Sequence, residues 1–312
     1  MALLGDRRLL VKIAHMYYEE GATQSEIANA IGVSRSLISK YLTKAREAGV
    51  VEIIIHEQGD HPFTGLESKV EKRYGLREVI CVEANEGGDS KTRLGAAASN
   101  YLLRMIRNGQ TIGISSGTTL YEVATAMTSS QYFPELQFIP LVGGMGDERV
   151  DIHANQIVAK LAEVLKAKCK LLHAPVLVDS KEARDIIVNQ SSIKSIFETG
   201  AKADIAVVGI GGTPAHSTMV KSYLQQTNDV IEYENVAGDI CYNFINEDGR
   251  TAVNDWNDRV ISMDLEHVKQ IPLVIGVASG QEKIKAIQAA LAADLIHVLI
   301  TDDVTARMLL DD

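Results

Sequence analysis

Thr23-Gln-Ser-Glu-Ile-Ala-Asn-Ala-Ile-Gly-Val-Ser-Arg-Ser-Leu-Ile-Ser-Lys-Tyr-Leu-Thr-Lys-Ala-Arg-Glu-Ala48 reads as two helices joined by a very short turn. Thr23 and Glu26 stand at capping-box spacing, so each can satisfy an orphan amide at the start of the first helix. Ile27 and Ile31 repeat at helical spacing on one face. Gly32 supplies the positive φ that ends this helix, and Ser34 caps the next. In the second helix Leu37, Ile38, Tyr41, Leu42 and Ala45 form one apolar stripe. Arg35, Ser36, Ser39, Lys40, Thr43 and Lys44 are left facing outward. This is the layout of a helix-turn-helix, whose second helix lies in the DNA major groove. With Gln24 and Ser34 at the two helix starts, these residues are the candidate contacts to double-stranded operator DNA.

An ordinary helical hairpin with a solvated outer face would share some of this charge. Two features argue for DNA. The hydroxyl and cationic side chains lead from the first turn of the second helix, where base edges are contacted. An apolar helix (Leu9, Leu10, Ile13, Ala14, Tyr17) precedes the motif and completes a three-helix core. The strand-like segment Gly49-Val50-Val51-Glu52-Ile53-Ile54-Ile55 is placed to form a wing.

The chain has 312 residues, which favours two domains. The expected division is a DNA-binding domain over 1–56, a linker over 57–65 and an effector and oligomerisation domain over 66–312. Apolar content of 46% and charged content of 23% are globular values. A net charge of −10 conflicts with DNA binding until its distribution is read. Residues 1–56 hold seven Lys/Arg against six Asp/Glu, and the remaining 256 carry a net of −11. A near-neutral head can grip phosphate while the acidic body stays off the duplex. Such a head has modest grip alone, which points to a homo-oligomer.

Cys81, Cys169 and Cys241 are widely spaced, with no CxxC, as expected of a reducing cytoplasm and of no metal site. The amino-terminal apolar residues are periodic and interrupted by Asp6, Arg7 and Arg8, unlike a signal peptide. No uncharged run approaches the ~18 residues of a membrane span.

After Glu57-Gln58-Gly59-Asp60-His61-Pro62 a short helix is expected over Leu66–Tyr74. Strands are expected at Val79–Val82, Thr111–Ile114, Gln137–Val142, Lys170–His173, Ile205–Ile210, Leu273–Ala278 and His297–Thr301. Helices are expected near 91–107, 118–127, 153–166, 181–188, 192–200, 282–292 and 303–310. Continuous aliphatic runs flanked by helices indicate an α/β fold with a parallel sheet buried on both faces. In such sheets ligands sit beyond the carboxyl ends of the strands.

Residues at those ends suit an anion. Ser115-Ser116-Gly117-Thr118-Thr119 runs from a strand straight into a helix, where small residues and a helix start favour negative charge. The loop lacks a Walker lysine and a GxGxxG spacing, which argues against a nucleotide. Gly143-Gly144-Met145-Gly146 and Gly209-Ile210-Gly211-Gly212 allow close backbone approach. Lys283, in the first turn of a helix, opposes the dipole unless an anion is present. Asp239 sits among small and apolar residues, where a carboxylate needs a hydroxyl, cation or amide partner. Eight histidines are scattered without triad or metal spacing, and Asp147-Glu148 are adjacent acids of the kind usually solvated. No catalytic residue, cofactor or metal is expected.

The order of motifs along all 312 residues resembles the SorC family of bacterial sugar-responsive transcription regulators. Its markers here are Tyr17-Tyr18, Gln24-Ser25-Glu26-Ile27-Ala28, Ser34-Arg35 with Ser39-Lys40, and Gly117-Thr118-Thr119. Gly143-Gly144, Val236-Ala237-Gly238-Asp239, Asn257-Asp258-Arg259 and Ile300-Thr301-Asp302 with Ala306 complete the set. The resemblance implies a winged helix-turn-helix head on a Rossmann-like body related to sugar-phosphate isomerases and deaminases. It also implies a phosphorylated sugar as effector, and tetramers on long operators. At the matching positions Ser116, Gly117, Thr118 and Thr119 hold phosphate with Lys283, and Asp239 holds sugar hydroxyls. Lys221 stands where relatives often carry a cation. Some relatives place a Schiff-base lysine just before the Gly-Gly pair. Here that residue is Val142, which excludes covalent capture there and argues against a deoxyribose-phosphate effector. The alternative reading is a sugar-phosphate isomerase or deaminase carrying a DNA-binding head.

Overall fold

The computed structural model describes residues 6–53, 62–84, 90–144, 146, 149–217, 220, 221, 223, 224 and 235–311. It divides into two compact units, 1–62 and 63–312. The expected linker residues 57–61, the wing residues Ile54 and Ile55, Met145 and the Asp147-Glu148 pair lie outside the described residues.

In the first unit Arg7–Tyr18 (α1), Gln24–Ile31 (α2) and Arg35–Glu47 (α3) form the three helices. The Thr23–Glu26 capping box is present with both bonds made, and Gly32 closes α2 at φ 79. Ser34 Oγ accepts from the Leu37 amide and so starts α3. Ile13, Ile27, Ile38 and Tyr41 are fully buried at the centre of a core shared by all three helices. The wing differs from expectation, because described residues 49–53 form no strand. Instead the Val50 and Val51 amides both donate back to the Ala45 carbonyl, wrapping the chain around the end of α3.

The second unit runs α4 (Thr64–Tyr74), β1 (Glu78–Val82), α5 (Ser90–Met105), β2 (Thr111–Ile114), α6 (Thr118–Ala126), β3 (Gln137–Pro140) and α7 (Ala154–Leu165). It continues through β4 (Lys168–Cys169), α8 (Lys181–Val188), α9 (Ser191–Gly200), β5 (Ile205–Gly211), β6 (Gly238–Ile240) and β7 (Asn243–Ile245). It ends with α10 (Asp255–Arg259), α11 (Leu265–Lys269), β8 (Leu273–Val277), α12 (Ile284–Ala292), β9 (Val298–Asp302) and α13 (Asp303–Leu310). Parallel strands stand in the order β1-β9-β8-β5-β2-β3-β4, and the antiparallel hairpin β6–β7 extends from the end of β5.

Alternate residues of the central strands enter two cores. Ile205 and Val207 join Ile112, Ile114 and Ile275 beneath α5, α6 and α7. Ala206 and Val208 join Val274 and Leu299 on the opposite face, beneath α12 and α13. Both faces are therefore covered, as continuous apolar strands require. The chain turns outward from β2 to β3 and β4 on one side, and from β5 to β8 and β9 on the other. The point where direction reverses lies between β2 and β5, the crevice where such sheets bind ligands.

Two expectations need correction. The strand expected at Lys170–His173 is β4, two residues earlier and shorter. Its apolar signal misleads because Leu172, beyond the paired residues, is buried with Ile139 of β3 and Ile193 and Ile196 of α9, while Leu171 is exposed. The β6–β7 hairpin has no counterpart among the expected strands.

Candidate functional site

On α3, Arg35, Ser36, Ser39, Lys40 and Thr43 are exposed and Lys44 is half-buried. Gln24 is half-buried at the first position of α2. Some hydroxyls are engaged locally: Ser34 Oγ lies 3.0 Å from Ser36 Oγ, and Thr43 Oγ1 donates to the Ser39 carbonyl at 3.1 Å. Arg35 and Lys40 form no ion pair among the described residues, so their charge is available to a phosphate or a base edge.

At the crevice between β2 and β5 lies a cavity of about 160 Å³. Two strand-to-helix turns of matching conformation flank it. Gly117 follows Ser116 at the end of β2 with φ 122 and ψ 165, and Gly280 follows Ser279 at the end of β8 with φ 116 and ψ 144. Only glycine adopts this region without strain. Neither turn places a side-chain cap on the helix that follows. The first amides of α6 are thus without a side-chain acceptor and favour an anion. Lys283 and Lys91 line the same cavity. Lys283 stands in the 3₁₀ turn Gln281–Lys283 that leads into α12, and burial pushes its ammonium below the ordinary lysine range.

Asp239 forms the opposite wall. It pairs with Gly211 across the β5–β6 ladder and is buried. Burial raises its carboxyl to about 6, although the Ser217 hydroxyl, the Tyr242 backbone amide and Lys283 all pull it down. One of its oxygens, Oδ1, has no hydrogen-bond partner among the described residues. An unsatisfied buried acceptor in a cavity wall suits a ligand hydroxyl.

The β6–β7 turn supplies two further lining residues, Cys241 and Tyr242. Burial pushes the Cys241 thiol up to about 12, so it stays protonated. Ser116 Oγ donates to the Tyr242 hydroxyl at 2.7 Å, and the Trp256 indole donates to the Tyr242 carbonyl at 2.8 Å. Behind the turn, the Asn257 side chain bonds both the amide and the carbonyl of Phe244 and so clamps β7. The Asn257 part of the Asn257-Asp258-Arg259 motif therefore holds the cavity wall in place from outside.

The structure brings Ser116, Gly117, Thr118, Thr119, Asp239 and Lys283 together around one cavity. It does not bring Gly143, Gly144 or Lys221 there. The Gly143 amide donates to Ile261, Gly144 bridges Pro175, and a Cβ on Gly143 would lie 2.6 Å from the Pro175 carbonyl oxygen. The small residue at 143 is accounted for by this close passage of two chain segments, whereas a Cβ on Gly144 would meet only His153 at 3.6 Å. Lys221 is exposed and outside the lining. Lys91, His216 and Tyr242 were missed by sequence reasoning. Only Tyr242 left a signal, as a polar aromatic three residues after the singled-out Asp239.

Residues 62–311 match the family model Sugar-bind, a sugar-binding domain, and residues 13–52 match a winged helix-turn-helix DNA-binding model. The chain is 30% identical over 311 residues to the sorbitol operon regulator of Klebsiella pneumoniae, covering 98% of each chain. It is 28% identical over 312 residues to the deoxyribonucleoside regulator of Bacillus subtilis, again covering 98% of each. The crystal structure of the full-length sorbitol operon regulator SorC from Klebsiella pneumoniae superposes with a TM-score of 0.74 at 30% identity. That match covers 97% of this chain and 99% of the other. The Val50–Ile53 segment thus belongs to a head matched as winged, although its described part forms no strand. A DNA-binding head joined to a sugar-binding body, similar along its whole length to known operon regulators, leaves one assignment: the chain belongs to the SorC family of sugar-responsive transcription regulators.

Proposed function

We propose that this regulator binds the operator of a sugar catabolic operon through α3, and that a phosphorylated sugar, held non-covalently in the strand-end cavity, controls that binding. One observation carries the reading: a turn that favours an anion and a buried carboxylate with an unsatisfied oxygen face one cavity, with Lys283 beside them. Phosphate is assigned to Ser116–Thr119 and Lys283, and a sugar hydroxyl to Asp239. Charge-assisted hydrogen bonds are roughly twice as strong as neutral ones, so the phosphate contributes most of the affinity. Val142 is buried and carries no amine, which supports non-covalent capture.

A homo-oligomer, a tetramer in this reading, brings several weakly charged heads onto one operator at high effective concentration. Cytoplasmic residence accords with the three free cysteines and with the absence, among the described residues, of any helix long and apolar enough to cross a membrane. The chain acts as a regulator and not as an enzyme.

The test is a calorimetric screen of pentose and hexose phosphates against their unphosphorylated parents, with light scattering on the same samples. Tighter binding of the phosphates and a tetramer are expected, with no turnover. Tighter binding of the parents across the screen would overturn the effector class, and turnover would restore the enzyme reading.

A further inference from the structure

The β6–β7 turn is built in a way its sequence resists. A two-residue hairpin loop with both central residues at positive φ is the geometry that Asn-Gly and Asp-Gly adopt readily. Here Cys241 at φ 54 and Tyr242 at φ 60 adopt it. A bulky residue in this region is strained, and such strain persists where the surroundings over-determine it, most often at ligand sites. What the strain achieves is the placement of Tyr242.

Tyr242 touches both ends of the cavity. Its hydroxyl meets Ser116 on the anion-favouring turn, its backbone amide holds the Asp239 carboxylate, and its carbonyl is fixed by Trp256. The Ser116 and Tyr242 hydroxyls carry two protons and share one hydrogen bond. Among the described residues no acceptor takes the second proton. Both residues line the cavity, so the pair presents one hydrogen-bond donor to whatever fills it. Burial keeps the phenol protonated, above the ordinary tyrosine range, so this donor is constant across physiological pH.

We propose that Tyr242 is a specificity-determining contact of the effector, donating with Ser116 to a ligand oxygen and coupling phosphate recognition to hydroxyl recognition at Asp239. The inference rests on the reading of the cavity as a sugar-phosphate site. A ligand lacking an oxygen between its phosphate and the hydroxyl that meets Asp239 leaves this donor unsatisfied and is rejected.

Tyr242→Phe removes one oxygen and keeps the ring that fills the wall. Full-length wild type, Tyr242→Phe, Ser116→Ala and the double variant are titrated with inorganic phosphate, ribose 5-phosphate and fructose 6-phosphate. Binding is read by calorimetry and by the fluorescence of Trp256, the only tryptophan, which hydrogen-bonds the Tyr242 backbone. Thermal unfolding is followed in parallel. The expected result is unchanged unfolding for Tyr242→Phe and about tenfold weaker binding of the sugar phosphates, as for loss of one buried hydrogen bond. Ser116→Ala leaves the Tyr242 hydroxyl its own proton to donate, so its loss should be smaller, and the double variant, which has neither proton, should bind weakest. Wild-type affinity in Tyr242→Phe, or a double variant that binds no more weakly than Ser116→Ala, overturns the proposal while leaving the sugar-phosphate reading intact. Wild type that binds none of the three probes overturns that reading, and this inference with it.

Discussion

The Asp239 carboxylate lies over the Cα of its ladder partner Gly211, in the space that a Cβ on residue 211 would occupy. The overlapping group is the end of a side chain and not backbone, so Gly211→Ala is expected to fold. It should displace the carboxylate from the Ser217 hydroxyl and the Tyr242 amide. Effector affinity is then expected to fall as far as in Asp239→Ala, with the double variant no worse than either single one. Calorimetry on the three variants checks this, and wild-type affinity in Gly211→Ala would show that the carboxylate position is not critical.

Asp239 also gives the effector-free protein a pH dependence. Burial raises its carboxyl from 3.8 in the unfolded chain to about 6 in the folded one. Between those values the folded state binds more protons than the unfolded state, so this group's contribution to stability falls as pH rises. Below 3.8 and above about 6 it is flat. By pH 7 the buried carboxylate costs on the order of 3 kcal/mol relative to acid conditions. Asp239→Asn should remove that decline. Scanning calorimetry of wild type and variant from pH 4 to pH 7 is expected to show curves that diverge, with the variant gaining relative stability towards pH 7. Parallel curves would mean that the carboxylate is better solvated than its burial indicates.

Gly143 yields a contrasting variant. A Cβ there meets the Pro175 carbonyl, which is backbone and cannot step aside. Gly143→Ala should cost about 1–3 kcal/mol, the range for overpacking, and lower the melting temperature. Effector affinity of the folded protein should stay close to wild type. Weak binding with normal stability would return Gly143 to the effector site.

The central parallel strands were legible because they are apolar runs buried on both faces, and β2 matches its expected bounds residue for residue, whereas the edge strand β4 is an exposed Lys-Cys pair without such a run. The candidate anion turn was legible for a related reason, since Ser115–Thr119 must follow such a run. The β6–β7 hairpin was not. Its strands are three residues each and include Gly238, Asp239 and Asn243, which have low strand preference. Its turn is Cys-Tyr, without the Asn-Gly signature by which hairpins are recognised. The hairpin forms because its neighbours hold it: β5 pairs with β6, Asn257 clamps β7, and Trp256 fixes Tyr242. Tertiary contacts of this kind leave no local pattern. Gly143 differs in the opposite sense, as a glycine signal accounted for by its close approach to Ala174 and Pro175.

Lys283 tests the polarity of the effector. Burial disfavours its ammonium, so an anion in the cavity relieves a cost already present in the empty protein. Lys283→Ala should weaken the best sugar phosphate far more than its unphosphorylated parent, and leave DNA binding without ligand nearly intact. A variant that binds the sugar phosphate as tightly as wild type would remove Lys283 from the site.

The head is tested by separating its two kinds of contact. Arg35 lies in the first turn of α3 and Lys40 one and a half turns further along, both exposed and neither in an ion pair among the described residues. A side chain that meets phosphate positions the protein without reading sequence, whereas one that meets a base edge discriminates. If Arg35 or Lys40 contacts phosphate, substitution by Ala should weaken binding to all duplexes alike. It should also reduce the slope of log affinity against log salt by ~1 per site per protomer. If it reads a base, the loss should be ~1–3 kcal/mol and confined to particular operator positions. Neither substitution touches the Ile13, Ile27, Ile38 and Tyr41 core, so unfolding of the head should be unaffected. Titrations of operator and unrelated duplex at several salt concentrations distinguish the two cases. Unchanged operator affinity in both variants would show that α3 does not face the DNA.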